Sequence, residues 1–177
     1  MNDAGALVID VARDDDIAHL AAIERAAAAL LVGHAPPALL EGAQSETTLR
    51  EAMVAGRLFV ARADGVPVGF ALVVLLDDGL PHLEEIDVHP TYGRRGIGAA
   101  LVEKVCEWAA RAGHAEITLT TFRAVAWNMP FYARMGFVAL SDDEVRPALR
   151  VVVDEETARG LDPRGRVAMK RRRPLTP

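Results

Sequence analysis

The segment from His82 to Leu101 restricts the possible folds more than any other part of the chain. It reads as a short strand, a glycine-rich turn and the opening of a helix. His82 to Val88 carries apolar Leu83, Ile86 and Val88 and is stopped by Pro90, which has no N–H to give a strand ladder. Gly93, Gly96 and Gly98 follow, with Arg94 and Arg95 between them. From Ile97 the period becomes helical: Ile97, Leu101, Val105 and Ala109 recur four apart, with Val102 and Trp108 filling the same side. A helix start carries unpaired N–H groups and partial positive charge. Glycines let an anion approach those groups, and arginines add charge-assisted hydrogen bonds. The turn therefore predicts a phosphate-bearing ligand.

Spacing narrows the ligand. A mononucleotide loop needs Gly-x-x-x-x-Gly-Lys-Ser/Thr, and no lysine or hydroxyl residue follows Gly98 directly. A dinucleotide fold needs Gly-x-Gly-x-x-Gly within repeated strand–helix units, and no such repeat is present. A second landmark lies about thirty residues on, in Ala126-Trp-Asn-Met-Pro-Phe-Tyr-Ala-Arg-Met-Gly-Phe137. Asn128 suits a helix N-cap, Pro130 suits a first turn, and Gly136 suits a left-handed stop. Between the landmarks, Gly113 ends the long helix, and Ile117 and Leu119 alternate with Thr118 and Thr120 as in a strand.

The turn resembles the Gln/Arg-x-x-Gly-x-Gly/Ala signature of the GNAT superfamily, the acetyl-CoA-dependent N-acetyltransferases. The second landmark resembles that family's Asn-capped helix ending in Tyr-x-x-x-Gly-Phe. The resemblance covers roughly residues 5 to 172, its specific motifs lying in 82–137. It implies an α/β (α+β) fold: a mixed central sheet of about six or seven strands with helices on both faces. It implies acetyl-CoA as co-substrate, with Arg95, Gly96, Ile97, Gly98 and Ala99 around the pyrophosphate. One departure is Gly93, which stands where the family usually has Gln or Arg; Arg94 is the neighbour placed to take over that contact.

The 177 residues, half of them apolar, predict one domain over 1–177. A net charge of −5 argues against a nucleic-acid surface, and no helix has a basic face for membrane contact. No apolar run approaches the roughly eighteen residues of a membrane span, and the N-terminus has no signal-peptide pattern. Cytoplasmic residence is expected. The single Cys106 falls on the helix after the turn, as a small buried thiol.

Further elements follow from period and punctuation. Leu7–Val11 reads as a strand. Asp14–Asp16 supply caps and first-turn acids for a helix whose apolar side is Ile17, Leu20, Ile23 and Leu30. Residues 33–42, with Pro36-Pro37, read as a loop with room for one short turn. Ser45 opens a helix stopped by Gly56. Leu58–Arg62 and Val66–Leu76 form a hairpin across Asp64-Gly65, and 77–81 links to the next strand. Pro147–Gly160 suits a helix, although Val151–Val153 would suit a strand, and Arg166–Arg171 closes the chain as a strand.

The resemblance also implies a mechanism: direct attack of a primary amine on the thioester in a ternary complex. An alkyl ammonium must lose a proton first, and family members place an acidic or His side chain for this on the strand before the turn. At period two, His82, Glu84 and Ile86 share one face, and Asp87 and Glu85 the other. Glu84 is favoured as base because a carboxylate also attracts the incoming cation. A bulge in this strand would exchange Glu84 for Glu85; His82 is a further candidate, against the reading of an ordinary surface histidine. Tyr132 is implied as the acid protonating the leaving thiolate. Asn128 is a helix cap or a pantetheine contact, and backbone N–H groups near Ile86, Asp87 and Val88 would hold the thioester oxygen. Trp127, Thr120, Thr121 and Arg123 are candidate cleft residues. Lys170–Arg173 are either a solvated chain end or a 3′-phosphate contact. The acceptor is a small-molecule or peptide amine, no metal is expected, and a homodimer is plausible. The alternative is a non-catalytic acyl-CoA sensor, which has no need of Tyr132 paired with a spaced acid.

Overall fold

The computed structural model describes residues 7–172. Seven strands form one sheet in the order β1-β2-β3-β4-β5-β7-β6. They are β1 (Leu7–Val11), β2 (Leu58–Ala63), β3 (Val66–Leu75), β4 (Pro81–Val88), β5 (Glu116–Phe122), β6 (Val138–Ala139) and β7 (Arg166–Arg172). All neighbours run antiparallel except β4 and β5, which are parallel and pair only at His82↔Thr118 and Leu83↔Leu119. Beyond that short seam the two central strands part. The helices are α1 (Ile17–Ala28), α2 (Pro37–Leu40), α3 (Glu46–Val54), α4 (Ile97–Arg111), α5 (Met129–Arg134) and α6 (Pro147–Ala158).

Each face of the sheet has its own core. On one side, Ile97, Leu101, Val102 and Val105 of α4 pack on Phe59, Val73, Leu83, Leu119 and Met169, with Phe131 and Tyr132 of α5 at the margin. On the other, Leu20 and Ile23 of α1 and Leu49 of α3 cover Leu58, Val60, Phe70 and Leu72. The alternation of β2 and β3 sends one residue to each core, as strand geometry dictates. The hairpin turns at Asp64-Gly65, both with positive φ (51° and 80°), as a two-residue turn of that type requires.

Departures from sequence expectation have local causes. Asp16, expected as a first-turn acid, is buried and paired with buried Arg62 of β2, since a carboxylate under a helix start needs a cation when water is excluded. α1 ends at Ala28 and tightens into a 3₁₀ turn at 29–31, so Leu30 leaves the apolar stripe and is half exposed. Over 147–158 the expected helix holds against the strand alternative of the valine run, with Pro147 in its first turn and Leu149 and Glu156 buried on one side. β4 begins one residue early at Pro81, and the two-residue β6 was not anticipated.

Candidate active site

A cavity of about 880 Å³ lies where β4 and β5 separate, walled by α1, the 29–44 segment, α6 and the turn before α4. Its lining joins Arg94 and Arg95, at one end, to Glu24, Glu85 and Asp87, with Ile86, Val88, Asn128 and Tyr132 between.

At the basic end, Gly96 adopts the left-handed conformation (φ 80°) as N-cap of α4, which a side chain would strain. The first intrahelical bond runs from Ala100 N–H to Gly96 O at 3.0 Å, so the N–H groups of Ile97, Gly98 and Ala99 precede the ladder. The Ile97 side chain is buried in the core, leaving only its backbone for a ligand. A Cβ on Gly98 would sit 3.7 Å from Phe131 and 3.9 Å from Val88. The cavity lining reaches Gly93, Arg94 and Arg95 but stops short of Gly96 to Ala99. Arg94 has φ 60°, uncommon outside glycine, and the Arg95 guanidinium lies 5.3 Å over the Tyr92 ring. These features suit a diphosphate: two cationic side chains, a helix start, and glycines keeping it accessible.

Strand β4 does not alternate regularly, which corrects the expected face assignment. Leu72 pairs with Glu85 and Val73 with Leu83, leaving Glu84 as the extra residue of a bulge. Leu83, Ile86 and Val88 therefore pack on the α4 side. Glu85, opposite Leu72, and Asp87, opposite Phe70, share the α1 side with His82, opposite Val74. His82, Glu84 and Ile86 do not share a face. His89 N–H donates to Val68 O at 2.9 Å; the antiparallel alternation then directs the Ile86 and Val88 N–H groups away from β3, toward the gap beside β5. Gly69, opposite Val88, lets the two strands close up, since a Cβ there would meet Asp87 O at 2.8 Å.

Carboxylates crowd the other end. Both oxygens of Glu24 accept from Gln44 N–H at 3.0 and 2.9 Å, and the Gln44 side chain donates to Glu85. Burial, then the charge of Glu24, pushes Glu85 up to about 7. Burial, then Glu85 and Glu24, raises Asp87 well above the ordinary carboxylate range, and Asp87 donates to Glu85. Burial also raises Glu24, against the Gln44 bond. Glu84 is raised by burial and drawn back by Arg159. Oδ2 of Asp87 is sealed from water and has no hydrogen-bond partner among the described residues.

Tyr132 lines the cavity and is held between the rings of Phe131 (centroids 5.0 Å apart) and Phe137 (5.9 Å). Burial, then Glu85 and Asp87, raises its phenol, so it stays protonated at neutral pH. Asn128 caps α5 through its backbone, its carbonyl accepting from Phe131 N–H at 2.9 Å and Tyr132 N–H at 3.1 Å. Its side chain makes no cap bond and lines the cavity instead. Trp127, 51% exposed, lines the mouth edge-on to His34. Thr120 and Thr121 also reach the cavity, whereas Arg123 turns to the Arg166 carbonyl.

His82 is not a surface residue. It is 1% exposed, its Nδ1 lies 2.9 Å from Thr118 Oγ1, and it is absent from the cavity wall. Thr118 donates to Pro81 O at 3.3 Å, so Nδ1 carries the imidazole proton. Burial lowers His82 from 6.5 to about 4. The unfolded chain thus binds the proton first: this stability is full above pH 6.5 and lost as pH falls toward 4. We expect the loss to reach about 3 kcal/mol, read as the difference between wild type and His82→Gln in urea titrations at pH 7 and pH 4.

Lys170, Arg171 and Arg172 pair with Glu144, Glu103 and Glu116 at 3.2, 2.8 and 3.5 Å, and Arg173 lies outside the described residues. Cys106 is only partly buried, and burial raises it to about 11. Sequence reasoning missed Glu24, Glu156 and Arg166. Glu156 bonds Thr120 and pairs with Arg166 at 2.6 Å beside the cavity. A signal existed: Glu24 and Glu156 each fall seven residues after a buried apolar residue, Ile17 and Leu149, on the inward stripe of their helices. Among the described residues no cluster of His, Cys, Asp and Glu could hold a metal ion, and no helix is long and apolar enough to cross a membrane.

Residues 25–137 match the acetyltransferase (GNAT) family. The chain is 29% identical over 119 residues to the glucosamine 6-phosphate N-acetyltransferase of Trypanosoma brucei brucei, spanning 62% of this chain and 79% of that protein. It is 32% identical over 85 residues to an uncharacterised N-acetyltransferase of Methanocaldococcus jannaschii, spanning 45% of this chain and 38% of the other. The PaiA N-acetyltransferase of Thermoplasma acidophilum, solved with coenzyme A, has the same fold: TM-score 0.69, 17% identity, 95% of this chain and 99% of that one covered. With the seven-stranded sheet parted at β4 and β5 and more than half its length matched, the chain belongs to the GNAT family of acetyltransferase enzymes.

Proposed function

We propose that the protein transfers the acetyl group of acetyl-CoA to a primary amine by direct attack in a ternary complex. The observation that carries this is a single cavity that joins Arg94 and Arg95 of the turn before α4 to an unpaired strand edge, a tyrosine and a carboxylate cluster. The residues fit coenzyme A at the diphosphate: Arg94, Arg95 and the N–H groups that open α4. Its thioester supplies the acetyl group, a C–N bond forming as the C–S bond breaks.

The chain's own groups manage charge and protons. Glu85 takes the proton of the bound ammonium, because with a value near 7 it is poised to exchange protons at neutral pH. Asp87, which keeps its proton, holds Glu85 in place. N–H groups of Ile86 and Val88 receive the negative charge that develops on the carbonyl oxygen. Tyr132 gives its proton to the departing sulfur and recovers one from the nitrogen, so the net proton leaves through Glu85. Glu84, assigned the base role by a regular strand, sits at the bulge beside Arg159 and shapes the acceptor wall. Of the trypanosomal relative's acceptor, the amine is the part carried over here.

The test is a thiol-release assay with acetyl-CoA over a panel of primary amines. Amine-dependent thiol release supports the reading. Saturable acetyl-CoA binding without turnover on any amine would point instead to an acyl-CoA sensor.

A further inference from the structure

We propose that the acceptor is a cationic amine on an apolar stem, carrying no anionic group, and that Glu24, Glu85 and Asp87 together seat its ammonium. This deepens the acetyltransferase reading and rests on it for the position of the acetyl donor. Three acidic side chains from two elements converge: Glu24 from α1, and Glu85 and Asp87 from the α1 face of β4. Gln44 ties them, its backbone on Glu24 and its side chain on Glu85. No Lys, Arg or His lies within ion-pair distance of any of the three among the described residues, Arg25 acting on Glu24 through its charge alone, and Asp87 keeps an unpartnered oxygen sealed from water.

Such a cluster costs stability unless a cation offsets the repulsion and burial. Elsewhere this fold supplies one: Asp16 has Arg62, and Glu156 has Arg166. Here only the charge of Arg25 acts, as the smallest of the influences on Glu24 and without an ion pair, and the cavity opens onto the cluster. Arg159, which also lines the cavity, acts on Glu84 through its charge, and Arg166 is engaged by Glu156, so with Glu24, Glu84, Glu85, Asp87 and Glu156 against two arginines the acceptor end keeps an excess of acidic groups. Around it, Ala27, Ala28, Leu31 and Leu40 offer an apolar wall, and the polar lining residues Gln44, Thr120 and Arg166 are already engaged by Glu85 and Glu156. A carboxylate or phosphate on the acceptor would be repelled; an alkyl stem would be accommodated.

The experiment compares four acceptors with the intact enzyme and acetyl-CoA: butylamine, 1,4-diaminobutane, 4-aminobutanoate and glucosamine 6-phosphate. We expect kcat/KM for the two purely cationic amines to exceed that for the two anion-bearing ones at least tenfold. In Glu24→Gln that ratio should fall toward one. A preferred anion-bearing acceptor, or a ratio unchanged in Glu24→Gln, overturns the inference while leaving acetyl transfer intact. If no amine is turned over, the acetyltransferase reading fails, and calorimetry with the same four compounds decides the charge preference. Proton release on binding butylamine, seen as buffer-dependent heat, supports the seat; equal binding of all four, or none, overturns it.

Discussion

Tyr132→Phe is expected to lower kcat by about 10²–10⁴-fold while leaving acetyl-CoA affinity nearly unchanged. The substitution keeps the ring, and with it the contacts to Phe131 and Phe137 that seat α5 against the core. It removes one O–H. That proton is available across the neutral range, since burial and the neighbouring Glu85 and Asp87 hold it on the phenol. An ammonium entering beside those carboxylates offsets part of their charge, so the phenol becomes a better acid when the acceptor is present. The loss should therefore appear in single-turnover acetyl transfer and not in equilibrium binding of acetyl-CoA. A variant at wild-type rate excludes Tyr132 as the acid.

The second large effect belongs to Glu85. Glu85→Gln is expected to cut kcat/KM by about 10²–10⁴-fold at pH 8 and to abolish the pH dependence near neutrality. The sign follows from the role: a base works when ionised, so wild-type kcat/KM should climb as pH rises to about 7 and level off above it. The acceptor contributes no opposing limb there, because it binds as an ammonium with a pKa near 10. Glu84→Gln should keep the limb and lose far less. Stability runs the opposite way. Glu85 and Asp87 are raised above their unfolded values, so their contribution is full in acid and is lost as pH rises through the folded values. Retention of the wild-type limb in Glu85→Gln would move the base elsewhere.

Much of the fold could be read from the residues alone. Spacing of Ile97, Leu101 and Val105 placed α4, Asp64-Gly65 placed the hairpin, and Gly136 marked the end of α5. These are local signals, set by backbone geometry within a few residues. The site was harder to read because it depends on one inserted residue. Period two over 82–88 puts Glu84 on one face with His82 and Ile86, whereas the bulge puts Glu85 and Asp87 on the α1 side with His82, and a bulge arises from pairing with β3 that β4 does not encode. His82 looked like a surface residue because its cover, α6 and β7, comes some seventy residues later in the chain. Glu24 was hidden for the opposite reason: a carboxylate on an apolar stripe contradicts the stripe until a cavity explains it.

The short seam between β4 and β5 has a mechanical consequence. Two rungs join the halves of the sheet, anchored by buried His82 and Leu83. From Leu83 to Val88 the free edge extends about 16 Å at strand rise, so a tilt of roughly 4° about that pivot displaces its tip by about 1 Å. The fold thus has a lever whose fulcrum is buried and whose long arm lines the cavity. Packing around the fulcrum, far from any reacting atom, can tune how widely the jaws stand apart.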